Sequence, residues 1–156
     1  MLKQIRKLGS VEIDAQVAQR VAALREAGLR VTPQRVAVCR ALAESKTHPT
    51  AQGLFEQLSA QSAAFSRATV YNTLETLARH GLARQLVVAG DGAMRYDADA
   101  HPHAHLVCTR CHRVEDYEDE ALDTAVKRVS GQTGYALQGL CVFYHGVCPQ
   151  CQKARQ

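Results

Sequence analysis

Two Cys-x-x-Cys pairs, Cys108/Cys111 and Cys148/Cys151, are the residues of this chain whose type and spacing most plainly imply chemistry. Thirty-six residues separate the pairs. One pair alone is compatible with a redox dithiol. Two pairs complete a tetrahedral thiolate set, which suits Zn²⁺ and leaves no coordination position for a substrate. A reversible dithiol switch is the competing reading. Three histidines, His101, His103 and His105, lie just before the first pair. With the cysteines committed to zinc, these belong to a second site, where the function should lie.

At 156 residues the chain makes one ordinary domain or two small ones, and its 46% hydrophobic and 22% charged composition is that of a folded globular protein. No apolar run reaches membrane-spanning length, and residues 1–10 lack the apolar core of a secretory signal. These features predict a cytoplasmic protein with no membrane partner, and there paired cysteines serve as metal ligands or redox groups more often than as disulfides. The net charge is +4, but residues 1–94 carry 12 Lys+Arg against 7 Asp+Glu, whereas residues 95–156 carry 7 against 8. A basic first half suggests contact with a polyanion. Lys3, Arg6 and Lys7 form either a basic arm or a frayed tail.

The elements that must position these residues divide the same way. Val11–Ala27 has helical apolar spacing (Val17, Val21, Leu24) and ends at Gly28. Thr32-Pro33 is a helix start, with a hydroxyl N-cap and proline at the first helical position, and that helix runs to about Glu44. Thr50 caps a third helix through about Ser59, and Ser66 caps a fourth, Arg67–Arg79, stopped by Gly81. In the fourth helix Val70, Leu74 and Leu77 face inward, Ala68, Asn72 and Arg79 outward, and Thr69 and Tyr71 lie on the flanks. Ala83–Val88 and Ala93–Asp97 are strand-like around a turn at Ala89-Gly90-Asp91-Gly92. Helices followed by a hairpin make a winged helix-turn-helix, whose last helix enters the major groove. Beyond it, His105–Cys108 and Arg113–Tyr117 read as short strands, Glu120–Ser130 as a helix, and Tyr135–Tyr144 as a strand leading into the second cysteine pair. The expected fold is therefore α+β, with a winged-helix DNA-binding domain over residues 1–96 and an α/β dimerisation and metal-binding domain over 97–156. The second domain is too small to be comfortable alone, and zinc and self-association would both help it.

Taken together, these stretches resemble the ferric uptake regulator family of metal-dependent bacterial repressors from about residue 15 to 152. The resemblance is carried by Gly28-Leu29-Arg30-Val31-Thr32-Pro33-Gln34-Arg35, His48-Pro49-Thr50-Ala51, Ala68-Thr69-Val70-Tyr71-Asn72-Thr73-Leu74, Arg95-Tyr96-Asp97, His103-Ala104-His105-Leu106-Val107-Cys108 and Gly146-Val147-Cys148-Pro149-Gln150-Cys151. Their order and spacing are specific, though each stretch alone is modest. The resemblance implies a homodimer on a palindromic double-stranded DNA operator. It also implies a regulatory Fe²⁺ or Mn²⁺ site made from His48, Asp97, His103, His105 and Asp116. The sequence looks most like the peroxide-sensing branch, since iron-sensing relatives more often carry glutamates where Asp97 and Asp116 stand. In that branch the resemblance implies that His48 and His103 are the oxidised residues. The alternative is an iron- or other metal-responsive repressor without peroxide sensing. Relatives with a further metal site place a histidine where this chain has Gly139-Leu140, so that site is expected to be absent.

Three imidazoles and two carboxylates suit Fe²⁺, Mn²⁺ or Zn²⁺ rather than a soft metal. His103 and His105, two apart on one strand, share a face. The bland readings are a solvated loop histidine at His48, a hairpin-end cap at Asp97, and a solvated acidic run (Glu115, Asp116, Glu118, Asp119, Glu120) around Asp116. His101 reads as a bystander, His80 and His112 as surface, and Cys39 as a buried small hydrophobe. Tyr71 and Asn72 are the base-contact candidates, beside Thr69, and Arg67 and Arg79 the phosphate holders. A zinc deaminase would need His-x-Glu and Pro-Cys-x-x-Cys, and neither occurs, so no enzyme is expected.

Overall fold

In the computed structural model, residues 9–45, 47–87, 92–99, 102–137 and 140–154 are described. The chain divides into two compact units, Leu8–Ala100 and a second carried by His101–Gln156. The early basic residues (Lys3, Arg6, Lys7), His101, Gly139 and most of the expected hairpin turn lie outside the described residues.

The N-terminal unit holds four helices, α1 (Ser10–Glu26), α2 (Pro33–Glu44), α3 (Ala51–Gln61) and α4 (Arg67–Arg79), followed by strands β1 (Arg84–Val87) and β2 (Met94–Asp97). The hydroxyl caps form as their residue types require. Thr32, Thr50 and Ser66 accept backbone N–H bonds from Arg35, Gly53 and Thr69 at 3.3, 2.9 and 3.1 Å. Each such cap contributes about 1 kcal/mol. At the other ends, Gly28 (φ +72°) and Gly81 (φ +67°) adopt the left-handed conformation. The following N–H groups of Leu29 and Leu82 then reach back to the carbonyls of Leu24 and Leu77, both at 2.9 Å. The apolar stripes meet in one core that includes Leu24, Val38, Cys39, Leu42, Leu54, Val70, Leu74 and Leu77. The hairpin pairs antiparallel with Arg84 opposite Asp97.

The C-terminal unit comprises β3 (Ala104–Cys108), β4 (Val114–Tyr117), α5 (Glu120–Thr133), β5 (Val142–Gly146) and α6 (Pro149–Lys153). Its sheet has the order β4-β3-β5, with β3 antiparallel to β4 and parallel to β5. The strand expected over Tyr135–Tyr144 is corrected: among the described residues it begins only at Val142. The register explains why. Val142 pairs with Ala104, the first residue of β3, so continuing the ladder backward would set Leu140 against Pro102. Proline has no N–H to give to a ladder. The core here is small, consisting of Ala104, Val107, Cys108, Val114 and Leu122. Val129, Tyr135, Leu137 and Tyr144 are exposed. No helix among the described residues is long and apolar enough to cross a membrane.

Candidate functional site

The four sulfurs of Cys108, Cys111, Cys148 and Cys151 converge at one end of the C-terminal sheet, all within 4.8 Å of one another. Cys108 closes β3, and Cys148 and Cys151 lie at the start of α6 and within it. Backbone hydrogen bonds lock this end: Thr109 N–H donates to the Gly146 carbonyl at 2.8 Å and His112 N–H to the Cys108 carbonyl at 3.0 Å. The Cys148 N–H points at the Cys108 sulfur from 3.3 Å. Backbone donors from Cys111, Cys148 and Arg110 hold the Cys108 thiol down at about 5. Hydrogen bonds from its own thiol to the Cys148 and Cys111 sulfurs push Cys151 up to about 12. Crowded sulfurs of which one ionises readily and another resists are relieved by a divalent cation at their centre. The geometry fits zinc, since a Zn–S length of about 2.3 Å gives a tetrahedral edge of about 3.8 Å. The Cys111 and Cys148 sulfurs are 3.8 Å apart.

A second cluster sits on the same sheet. Opposite pairing places His105 of β3 across from Asp116 of β4. The Asp116 Oδ1 lies 3.2 Å from His103 Nε2 and 3.3 Å from His105 Nδ1. The two rings meet edge to face with centroids 4.5 Å apart, and Phe143 of β5 packs on His105 at 5.3 Å. Metal–ligand lengths near 2.1 Å put neighbouring nitrogen and oxygen ligands about 3.0–3.4 Å apart, whether octahedral or tetrahedral. The observed spacings fall in that range. His103 and His105 are buried, whereas the Asp116 side chain is 33% exposed and forms the accessible side of the cluster.

In the N-terminal unit His48 and Asp97 come together, His48 Nε2 to Asp97 Oδ1 at 3.7 Å, with both side chains only 3% exposed. The loop of His48 is tied to β2, because Tyr96 N–H donates to the Pro49 carbonyl at 2.9 Å and Thr50 bridges Arg95. His48 holds φ +48°. That left-handed conformation costs a non-glycine residue about 1–2 kcal/mol, and such strain clusters at functional positions. Asp97 also accepts the Asp99 N–H at 2.8 Å.

On α4, Val70, Thr73, Leu74 and Leu77 are buried and Tyr71 is 44% exposed. Asn72 shares the outer face with Tyr71 and Arg79, while Thr69 is half-buried and bonds the Ser66 hydroxyl at 2.9 Å. The Arg67 guanidinium lies 5.2 Å from the centre of the Phe55 ring, and Arg79 pairs with Glu75 at 2.7 Å. Cys39 is in the core, where burial pushes its thiol up to about 11. His80 and His145 are exposed and His112 is half-buried with φ +56°.

Sequence reasoning missed Arg20. It lies on α1 and is 3% exposed. Burial lowers its pKa, while Cys39, Asp97 and Asp99 act in the opposite sense. Its place in the apolar pattern, four residues before Leu24 and three after Val17, was the available signal.

The ferric uptake regulator family model matches residues 26–153. The chain is 34% identical over 146 residues to the peroxide-responsive repressor PerR of Staphylococcus aureus, covering 92% of this chain and 98% of that one. Among solved structures it superposes on the Helicobacter pylori ferric uptake regulator Fur with TM-score 0.72 and 20% identity over 97% of both chains. It matches a PerR structure described as GAS PerR-Zn-Zn with TM-score 0.50 and 31% identity, over 88% of this chain and 87% of that one. A closed thiolate set, a separate imidazole–carboxylate cluster, an exposed polar helix face and these likenesses agree. The chain belongs to the ferric uptake regulator family of metal-dependent, DNA-binding transcriptional repressors, which are not enzymes.

Proposed function

We propose that this chain is a homodimeric repressor that leaves a palindromic operator when hydrogen peroxide oxidises one of its histidine ligands. The observation that carries the reading is the approach of Asp116 Oδ1 to both His103 and His105, at 3.2 and 3.3 Å. Two imidazole nitrogens and a carboxylate oxygen form a set suited to Fe²⁺ or Mn²⁺. His48 and Asp97 would complete it from the N-terminal unit, while Cys108, Cys111, Cys148 and Cys151 hold structural Zn²⁺. The 34% identity to a peroxide-responsive repressor supports the sensing half of the proposal.

Fe²⁺, when bound, supplies the one-electron reduction of hydrogen peroxide within reach of the ligand imidazoles. The exposed side of Asp116 admits the peroxide. In net terms, one peroxide oxygen would pass to the ring of His48 or His103, two electrons leaving the imidazole and the second peroxide oxygen leaving as water, and the oxidised imidazole would be a poorer ligand. Because the ligands come from both units, ligation fixes the angle between them, and in a homodimer this sets the separation of the two α4 helices. That separation must match half-sites about one helical turn apart or a multiple of it. Metal and DNA therefore favour the same state and each raises affinity for the other. On DNA, Tyr71 and Asn72 read base edges beside Thr69, and Arg67 and Arg79 hold phosphates. The C-terminal unit supports self-association, with β5 at a sheet edge and Tyr135, Leu137, Tyr144 and Val129 exposed. The cytoplasm, where the operator is, is the place for such a protein.

The test is fluorescence anisotropy on a duplex selected from a random pool by the Mn²⁺-loaded protein. The Fe²⁺-loaded protein should bind, lose affinity after brief peroxide, and fail to recover on adding Mn²⁺. Peroxide-treated protein that binds as tightly as the Mn²⁺ control would reduce the chain to a plain iron- or metal-responsive repressor.

A further inference from the structure

Arg20 buries a guanidinium in the N-terminal unit, and each of its three nitrogens donates to a defined acceptor. Nη2 donates to the Ala98 carbonyl at 2.6 Å, Nε to the Leu82 carbonyl at 3.2 Å, and Nη1 to Gln16 Oε1 at 3.0 Å. Ala98 follows Asp97 directly, and Leu82 lies two residues before β1. Since Arg84 pairs with Asp97, those two carbonyls are the two legs at the base of the hairpin. Gln16, one turn earlier on α1, holds the remaining edge of the fork. A helix side chain thus grips both strands at the point where β2 ends in Asp97.

We infer that Arg20 is a positioning residue for the ligand carboxylate of Asp97, an inference that rests on the assignment of Asp97 to the regulatory site. The planar guanidinium presents its donors in a fixed fork, so engaging two carbonyls fixes both distance and direction, which a lysine ammonium does not. Residues 97–99 are held twice: by Arg20 at the Ala98 carbonyl, and by the Asp99 N–H on Asp97 Oδ1 at 2.8 Å. Asp97 is 3% exposed, and this pair of restraints limits the directions its carboxylate can take. Burying a guanidinium is costly where an apolar chain of the same volume would fill the space. Groups behind a metal ligand that orient it commonly change metal affinity about 10–100-fold.

The experiment uses the full chain with its structural zinc verified by metal analysis. Mn²⁺ affinity is read by competition with a fluorescent chelator, and the visible spectrum of Co²⁺ reports coordination at the regulatory site. Arg20→Met should weaken Mn²⁺ binding about 10–100-fold and alter the Co²⁺ bands. It should cause no further loss when added to Asp97→Ala, because both changes act through one ligand. Arg20→Lys should restore only part of the affinity, and it carries the same cycle if the methionine variant does not fold. The inference is overturned if the effects of Arg20→Met and Asp97→Ala multiply, or if Arg20→Met binds within about twofold of the parent while Asp97→Ala loses the expected affinity. If Asp97→Ala itself binds Mn²⁺ as the parent does, the ligand assignment fails first and the inference with it.

Discussion

The unequal cores of the two units allow the proposed role of zinc to be tested by removing two of its proposed ligands, Cys148→Ser with Cys151→Ser. Among the described residues of the C-terminal unit the large apolar side chains that are buried are Val107, Val114 and Leu122. At about 1.5–3 kcal/mol each, their burial contributes on the order of 5–9 kcal/mol. A structural zinc site contributes roughly 10–16 kcal/mol at neutral pH, so zinc bound by the four cysteines would stabilise this unit more than its apolar core does. The N-terminal unit has a core of fifteen buried residues and no thiolate site among its described residues. The double variant should therefore lose its zinc by metal analysis and lose amide-exchange protection throughout β3, β4 and β5. The N-terminal helices should stay protected and resist limited trypsin digestion. Mn²⁺ binding should fall as well, because His105 and Asp116 lie on the disrupted sheet and His103 directly precedes its strand β3. Zinc-free protein whose C-terminal strands are protected as in the parent would rule out this role for the metal.

Asp116→Glu should keep Mn²⁺-dependent DNA binding yet blunt the response to peroxide, because a longer carboxylate moves the oxygen that now sits 3.2 Å from His103; a parent-like peroxide dose response would contradict this. Asn72→Ala should cost about 1–3 kcal/mol of base discrimination and leave the salt slope unchanged. Arg67→Ala should weaken binding across sequences and reduce that slope by about one, both read by anisotropy over a salt series. Zinc uptake by metal-free protein at neutral pH should release thiol protons, that of Cys151 among them, since its pKa of about 12 keeps it protonated there. The depressed pKa of Cys108 stabilises the fold above the ordinary thiol range, and that contribution is withdrawn as pH falls toward 5. Calorimetry in buffers of different ionisation enthalpy counts the protons, and zinc uptake that releases none would refute the assignment.

Much of the fold was legible because its boundaries are set by local chemistry. Ser66 and Gly81 delimit α4 as expected, with capping hydroxyl and left-handed glycine both in place. The convergence of the four sulfurs was legible because two Cys-x-x-Cys pairs suit one tetrahedral site, and the approach of His103 to His105 because residues two apart in an extended segment share a face, although β3 itself begins only at Ala104. What escaped depends on long-range pairing. The late start of β5 follows from where β3 begins and from Pro102, the residue 38 positions earlier that a longer ladder would set against Leu140, which no local pattern around Tyr135–Tyr144 reveals. Arg20 was missed for a related reason: an arginine on an amphipathic helix reads as solvated until its acceptors, the carbonyls of Leu82 and Ala98, are brought to it by the hairpin. The left-handed backbone of His48 likewise precedes a proline and has no glycine to announce it.

The most direct test of the proposed function is peptide mass spectrometry of the Fe²⁺-loaded protein after a brief exposure to hydrogen peroxide, beside a Mn²⁺-loaded control. One added oxygen on His48 or His103 in the iron sample alone is the predicted result. Unmodified histidines in protein that has nevertheless released DNA would contradict it, and oxidation confined to Cys108, Cys111, Cys148 and Cys151 would identify a thiol switch instead.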